Sequence, residues 1–373
     1  MANIFDYIKW RGDLTFTQDP LNAVDALVFS SLAYIDYGGP VEENPTQPVP
    51  LKDAVERFFL LEDTQTRVRV KSDLDLLYLA AKSLRFGSSE ICMYRNELIP
   101  EQETQFAAMT FLLDDGSMFL AFRGTDYSLV GWKEDFNMTF QQTVPAQRRA
   151  QQYVRDVAME YLLPMRIGGH SKGGNLAVFA AARSSPMIQK RILNVYSNDG
   201  PGFTKYLMGD PGYLAMVPKI STYIPQSSVI GMLLEHEEPY TVIRSKTVGL
   251  LQHDPYSWEV LGRNFIPVQE ITESSQFVDA TIKTWFADMT NLERNQLVDV
   301  MFALLGTGGA ETVQDLLNPK NIRTYIKTLS SDENLRRVLS TEFLSLVDAA
   351  KKTRAKLEES REVEALMEGD VPQ

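Results

Sequence analysis

An α/β fold is what this sequence predicts: a mostly parallel sheet flanked by helices, with a helical appendage toward the C-terminal end. Three observations carry the prediction. Apolar runs of strand length alternate with helical stretches from about residue 106 to residue 245, the pattern of a parallel sheet. The segment Gly169-His170-Ser171-Lys172-Gly173 joins a short strand pattern to an Ala-rich stretch of strong helical character. From about Ser275 onward only helical patterns remain.

With 373 residues, the chain can hold one α/β domain over residues 1–270, with an N-terminal helical segment, and a helical region over 271–373. Hydrophobic residues make up 44% and charged residues 23%, which are globular proportions. The formal net charge of -12 sets up a field that repels nucleic acid and anionic membrane surfaces, so nucleic acid is not an expected partner. Cys92 is the one cysteine, which leaves no intramolecular disulfide, metal cluster or redox pair and makes a buried structural thiol the expectation. Neither a cofactor nor a metal is expected. The stretch Met1 to Trp10 contains Asp6 and has no small-residue cleavage pattern behind it, unlike a signal peptide. No run approaches the roughly 20 apolar residues of a membrane span. A cytoplasmic protein without a transmembrane segment is expected.

The elements follow in order. Residues 21–36 read as an amphipathic helix after Asp19-Pro20. Gly38 to Pro50, with four prolines, reads as a loop. A helix over Leu74–Phe86 is capped by Ser72 or Asp73 and ended near Gly87. Strands are expected at 106–113 and 118–122, joined by the hairpin turn Asp114-Asp115-Gly116, and a long helix over 147–163 is stopped by Pro164. Further strands are expected at 166–168, 192–197, 219–224 and 240–245. The appendage holds helices at 277–289, 292–305 and 321–329 and a long charged stretch over 333–362, read as a solvated helix face.

The chemistry centres on Ser171. In G-x-S-x-G two glycines permit a strained strand-to-helix turn that lifts the serine hydroxyl above the sheet, and here the motif sits where a strand should end and a helix begin. In that place the motif reads as a nucleophile turn of the α/β-hydrolase kind; the alternative is a plain glycine-rich turn. A serine needs a base, and three histidines exist. His170 is expected to pack under the turn or bond a neighbouring loop, and His236, in an acidic stretch, to sit in a solvated loop. His253, beyond the last expected strand, stands where the base follows in chain order. Asp199, at the end of an expected strand and before Gly200-Pro201-Gly202, is the candidate acid, with a turn-capping aspartate as its alternative and Glu235 as the fallback. The backbone N–H groups of Lys172 and Thr125 are the candidate oxyanion donors.

These residues carry a resemblance. Phe122-Arg123-Gly124-Thr125 with Trp132 and Asp135, followed by Gly169-His170-Ser171 and Gly173-Gly174, is similar to the class 3 triacylglycerol lipases of the α/β-hydrolase superfamily. More closely, Lys9-Trp10-Arg11-Gly12-Asp13, Gly169 to Ala177, Asn198 to Gly202 and Gln252-His253-Asp254-Pro255 resemble a family of uncharacterised bacterial lipase-like hydrolases. The likeness implies Thr125 as oxyanion donor and Ser171 as nucleophile. It departs from the lipases in two places. Pro225-Gln226-Ser227-Ser228 stands where a lipase places its triad aspartate, and Lys172 replaces a common apolar residue, suggesting a less greasy site mouth.

The expected function is an esterase or lipase acting through an acyl-enzyme on a small-molecule or lipid ester. A catalytically inactive binding module and an acyltransferase are the alternatives. Phe203 to Val217 is either a lid or acyl-pocket wall or an ordinary packed helix and turn.

Overall fold

The computed structural model describes residues 2–42, 47–126, 128–310 and 318–368, with side chains of the last helix described to residue 359. The chain divides into two compact units, Met1–Ile271 and Thr272–Gln373.

The first unit is built on an eight-stranded sheet in which strand order follows chain order: β1 (Val49–Pro50), β2 (Glu90–Ile99), β3 (Thr104–Leu112), β4 (Met118–Phe122), β5 (Met165–His170), β6 (Ile192–Asn198), β7 (Ile220–Pro225) and β8 (Tyr240–Ile243). β1 to β4 pair antiparallel and β4 to β8 pair parallel. Sequential parallel strands joined by crossovers of one hand put their connecting helices on one face of the sheet. The burial pattern agrees. Met118, Leu120 and Phe122 of β4 share a core with Val154 and Val157 of the helix Pro145–Glu160, Leu176 and Phe179 of the helix Lys172–Ala182, and Tyr213 and Met216 of the helix Pro211–Met216.

The intervening residues of the same strand, Phe119 and Ala121, point the other way, as a period of two requires. They meet the N-terminal helices Ile4–Arg11, Ala23–Leu32 and Lys71–Lys82, together with Trp258 and Phe265. The segment with no crossovers to offer its face is thus covered by the N-terminal part of the chain. Asn22 caps the second of these helices, and Asp25 returns the bond to the Asn22 backbone. Asp25 also pairs at 2.5 Å with Arg85, both side chains at 0% exposure, which ties the helical layer together through a charge pair that would be costly if broken.

Several elements differ from the sequence reading. β2 was not expected: a bulge lies between Cys92 and Arg95, with Met93 at φ 53°, and the extra residue breaks the alternation that marks a strand. The helix expected over 74–86 is two pieces, Lys71–Lys82 and Leu84–Gly87, separated by Ser83 in an extended conformation, where its hydroxyl caps the second piece. The helix Leu129–Met138 was also missed. In the Gly38–Pro50 loop, Val49–Pro50 pairs with β2, and residues 43–46 lie outside the described residues. Cys92 is buried and free, and burial pushes its thiol up to about 12. Phe203, Leu207, Tyr213 and Met216 are packed in the crossover core, so the 203–217 segment is an ordinary packed helix and turn.

The second unit holds the helices Glu273–Ala287, Asn291–Gly306, Pro319–Ser331 and Glu333–Glu368, the first and last of which pack together. Among the described residues no helix is long and apolar enough to cross a membrane.

Candidate active site

Ser171 stands between the end of β5 and the start of the helix Lys172–Ala182 at φ 59° and ψ -133°. A non-glycine residue there is strained, and such strain persists only where the surroundings enforce it. Two glycines let the neighbouring chain close in. A Cβ on Gly173 would sit 2.2 Å from the Phe122 carbonyl oxygen, and one on Gly124 would sit 2.5 Å from the His170 carbonyl oxygen. The exit of β4, with Thr125, is thereby pressed against the turn. The Ser171 amide donates to the Asn198 carbonyl at 2.9 Å, which fixes the turn to the end of β6, and the side chain stays 9% exposed.

Asp199 follows β6 with φ 51° and is fully buried. Its amide donates to the Tyr223 carbonyl at 2.8 Å. Its carboxylate is met by three donors: Nδ1 of His253 at 2.6 Å on Oδ2, and on Oδ1 the Ser228 hydroxyl at 2.5 Å and the Gly231 amide at 3.1 Å. A buried carboxylate so surrounded is an acceptor held ready. Ser228, in the segment that follows β7, thus serves the carboxylate that follows the neighbouring β6. Glu235 is exposed, and its backbone exchanges hydrogen bonds with Phe203. Among the described residues it makes no hydrogen bond to His253.

His253 ends the turn Gly249–His253 and keeps 27% of its side-chain exposure. Its ring lies against that of His170, with centroids 4.6 Å apart and the planes tilted by 36°. A backbone carbonyl can only accept, so the 2.8 Å contact between His170 Nε2 and the His253 carbonyl places the His170 proton on Nε2. Nδ1 then accepts from the Tyr34 hydroxyl at 2.9 Å. Burial, with lesser effects from His253 and Arg69, holds His170 well below the usual imidazole range, so it is a neutral brace under His253. By the same logic the Asp199 contact puts the His253 proton on Nδ1 and leaves Nε2 with its lone pair. Among the described residues neither His253 Nε2 nor Ser171 Oγ is engaged elsewhere, and no hydrogen bond joins the two.

His236 is not in a solvated loop. Its side chain is 8% exposed, and its ring bridges Glu238 at 3.1 Å and the Gly231 carbonyl at 2.9 Å. Burial pushes the Glu238 carboxyl up, but the bonds from His236 and Tyr213 outweigh it and hold Glu238 below its usual value. This bridge braces the 228–238 loop that supplies two donors to Asp199. Its signal was the local spacing of His236 and Glu238.

The amides of Thr125 and Lys172 carry no hydrogen bond among the described residues. The Thr125 hydroxyl donates to Asp135 Oδ2 at 2.5 Å. The Lys172 side chain does not reach the site mouth: it is buried at 0% exposure and pairs with Glu134 at 3.1 Å. The sequence reading assigned no role to Glu134, and nothing local to Lys172 marks it, because it lies 38 residues away.

Beside Ser171 is a cavity of about 70 Å³ lined by Asp135, Met138, Thr139, Lys172, Pro201, Ile230, Leu233 and Leu234. A larger open depression of about 710 Å³, lined by Phe5, Lys9, Phe59 and Tyr78 among others, contains none of these site residues. Among the described residues no cluster of His, Cys, Asp and Glu could hold a metal ion.

A family model described as Mbeg1-like matches residues 80–303. Among solved structures the chain is similar to a mutant form of MDLA from Penicillium cyclopium, at 12% identity over 67% of this chain and 87% of that one, with a TM-score of 0.39. It is similar to a fungal lipase at 11% identity over 67% and 87%, TM-score 0.41. A third is Rhizomucor miehei lipase in its propeptide complex, at 12% identity over 59% and 68%, TM-score 0.36. No curated protein matches the chain.

Proposed function

The chain belongs to the Mbeg1-like family, and on that premise and the geometry around Ser171 we propose that it is a serine hydrolase cleaving an uncharged carboxylic ester through an acyl-enzyme. One observation carries the reading. The 2.6 Å bond between His253 and a buried Asp199, beside a serine held at φ 59°, is the acid–base pair that a serine nucleophile requires.

In this reading Nε2 of His253 takes the Ser171 proton as Oγ attacks the ester carbonyl. The N–H groups of Thr125 and Lys172 receive the negative charge that develops on the carbonyl oxygen. Asp199 stabilises the imidazolium, which returns its proton to the leaving alkoxide. Water then repeats the sequence on the acyl-Ser171 ester and releases a carboxylic acid. The apolar side chains Met138, Ile230, Leu233 and Leu234 along the cavity favour a short apolar acyl group, because a larger chain would have to displace them.

The test is a panel of esters of graded acyl length on the wild type and on Ser171→Ala. The expected outcome is turnover that falls as the acyl chain lengthens and a loss of about 10⁴-fold or more in Ser171→Ala, with an unchanged circular dichroism spectrum. Full activity in the variant would refute the assignment. A second reading, a hydrolase-fold binding module without turnover, is favoured by the absence of a hydrogen bond between His253 and Ser171 among the described residues, although such bonds are often loose before substrate binds. That reading predicts no turnover of any ester.

A further inference from the structure

Lys172 occupies the first position of the helix that follows Ser171, where the positive end of the helix dipole disfavours a cation. Its ammonium is nevertheless buried, and all three of its donors are used: Gln105 O at 3.0 Å, Gln105 Oε1 at 2.6 Å and Glu134 Oε2 at 3.1 Å. Burying an ammonium is strongly unfavourable unless its charge and hydrogen bonds are met. An apolar side chain of similar length would fill the volume without that penalty, so packing alone does not account for the charge.

Two carboxylates on the helix Leu129–Met138 face this ammonium. Glu134 also accepts from the Gln105 amide at 3.2 Å and the Ala146 amide at 2.8 Å, so it has structural partners besides Lys172. Asp135 is different. Its Oδ1 is buried without a hydrogen-bond partner and lies 4.0 Å from the Lys172 nitrogen, while its Oδ2 accepts from the Thr125 hydroxyl. The side chain as a whole keeps 35% of its exposure, through the cavity it lines beside Ser171.

We propose that Lys172 is a positioning residue for the oxyanion side of the site: its ammonium keeps Asp135 an ionised acceptor for the Thr125 hydroxyl and so fixes the Thr125 amide beside Ser171. The inference rests on the serine-hydrolase reading. The charged and titratable groups around Asp135 are Lys172 and Glu134, Asp126 on the loop after β4, and the Tyr34 phenol. Arg123 is paired with Asp126 at 3.5 Å. Burial, Glu134 and Asp126 all favour a protonated Asp135, and Lys172 is the cation opposing them. Without it Asp135 takes a proton, and its bond from the Thr125 hydroxyl loses the charge that strengthens it.

Lys172→Met alone strands Glu134 in the interior and can abolish folding. The test is therefore the double variant Lys172→Met/Glu134→Gln, in which an amide keeps an acceptor for the Ala146 N–H. On a p-nitrophenyl ester, kcat at neutral pH should fall about 10- to 100-fold with KM changed by less than about threefold, and the acid limb of kcat should move to higher pH. The ¹³C carboxyl resonance of Asp135 should titrate at higher pH in the double variant, a readout that needs no turnover. A wild type that cleaves the ester, with a double variant equal to it in kcat, acid limb and Asp135 midpoint, would overturn the proposal and leave the hydrolase reading intact. A wild type that cleaves no ester defeats the hydrolase reading, and the Asp135 midpoint alone then decides whether the ammonium controls that carboxylate.

Discussion

On the histidine side of Ser171, Asp199, His253, His170, Tyr34, Ser228 and Gly231 are joined by directed hydrogen bonds in which each donor has a defined acceptor. On the side of the proposed oxyanion donors, Lys172, Glu134 and Asp135 form a cluster of charge around a buried ammonium, with one carboxylate oxygen of Asp135 lacking a hydrogen-bond partner. The first arrangement fixes ring orientation and tautomer, which is what a proton-transfer group needs. The second sets a field and holds a loop, which is what a site of developing charge needs. Damage to the two sides should therefore read out differently, as lost proton transfer on one and altered pH dependence on the other.

The largest expected effect is on the histidine side. Asp199→Asn should lower kcat by about 10⁴-fold, because the amide favours the wrong His253 tautomer, whereas Glu235→Gln on the same substrate should stay within about twofold. A crippled Glu235→Gln beside a near-normal Asp199→Asn would move the acid to the later loop and dissolve the comparison.

Asp135→Asn should show an intermediate effect and a change in profile. Burial, opposed by Lys172 and the Thr125 bond, raises the Asp135 carboxyl to about 6, so its bond from Thr125 loses its charge assistance as pH falls through that value. An amide accepts at every pH. The variant should lose less than about tenfold in kcat at neutral pH, and the contribution of this group near pH 6 should vanish from its acid limb. An acid limb identical to that of the wild type would mean that Asp135 does not govern the oxyanion side.

Among the partners of Asp199, Ser228→Ala should have a modest effect, a loss of about three- to tenfold in kcat, since Asp199 keeps the Gly231 amide and His253 after losing one of three donors. A loss as large as that of Asp199→Asn would show that the acid depends on Ser228 for its placement.

The alternation of strands and helices from β3 to β8 was legible because each apolar run has one period and clear stops. β2 was not, because the bulge at Met93 breaks its alternation. The helix Leu129–Met138 was hidden for another reason: Glu134 and Asn137 are among its buried residues, so no apolar stripe marks it. Ser171, Asp199 and His253 stood out in the sequence because each lies at a strand end or in a loop beyond one. Of the brace beneath them the sequence marked only His170, expected under the turn or bonded to a neighbouring loop; its partners and Ser228 were not visible. Tyr34 and His170 are 136 residues apart and Asp199 and Ser228 are 29 apart, and hydroxyl contacts at such separations leave no local pattern. Lys172 misled in direction, since nothing at the first position of a helix says whether a long side chain turns to the site mouth or under the turn.

The nucleophile is the claim on which both sides of the comparison depend. Treating the wild type with a fluorophosphonate and mapping the adduct by peptide mass spectrometry tests it most directly. One phosphonyl group should appear on the peptide that contains Ser171, absent in Ser171→Ala and formed far more slowly in Asp199→Asn. An adduct on another serine, or a wild type that turns over ester while Ser171 stays unmodified, would contradict it.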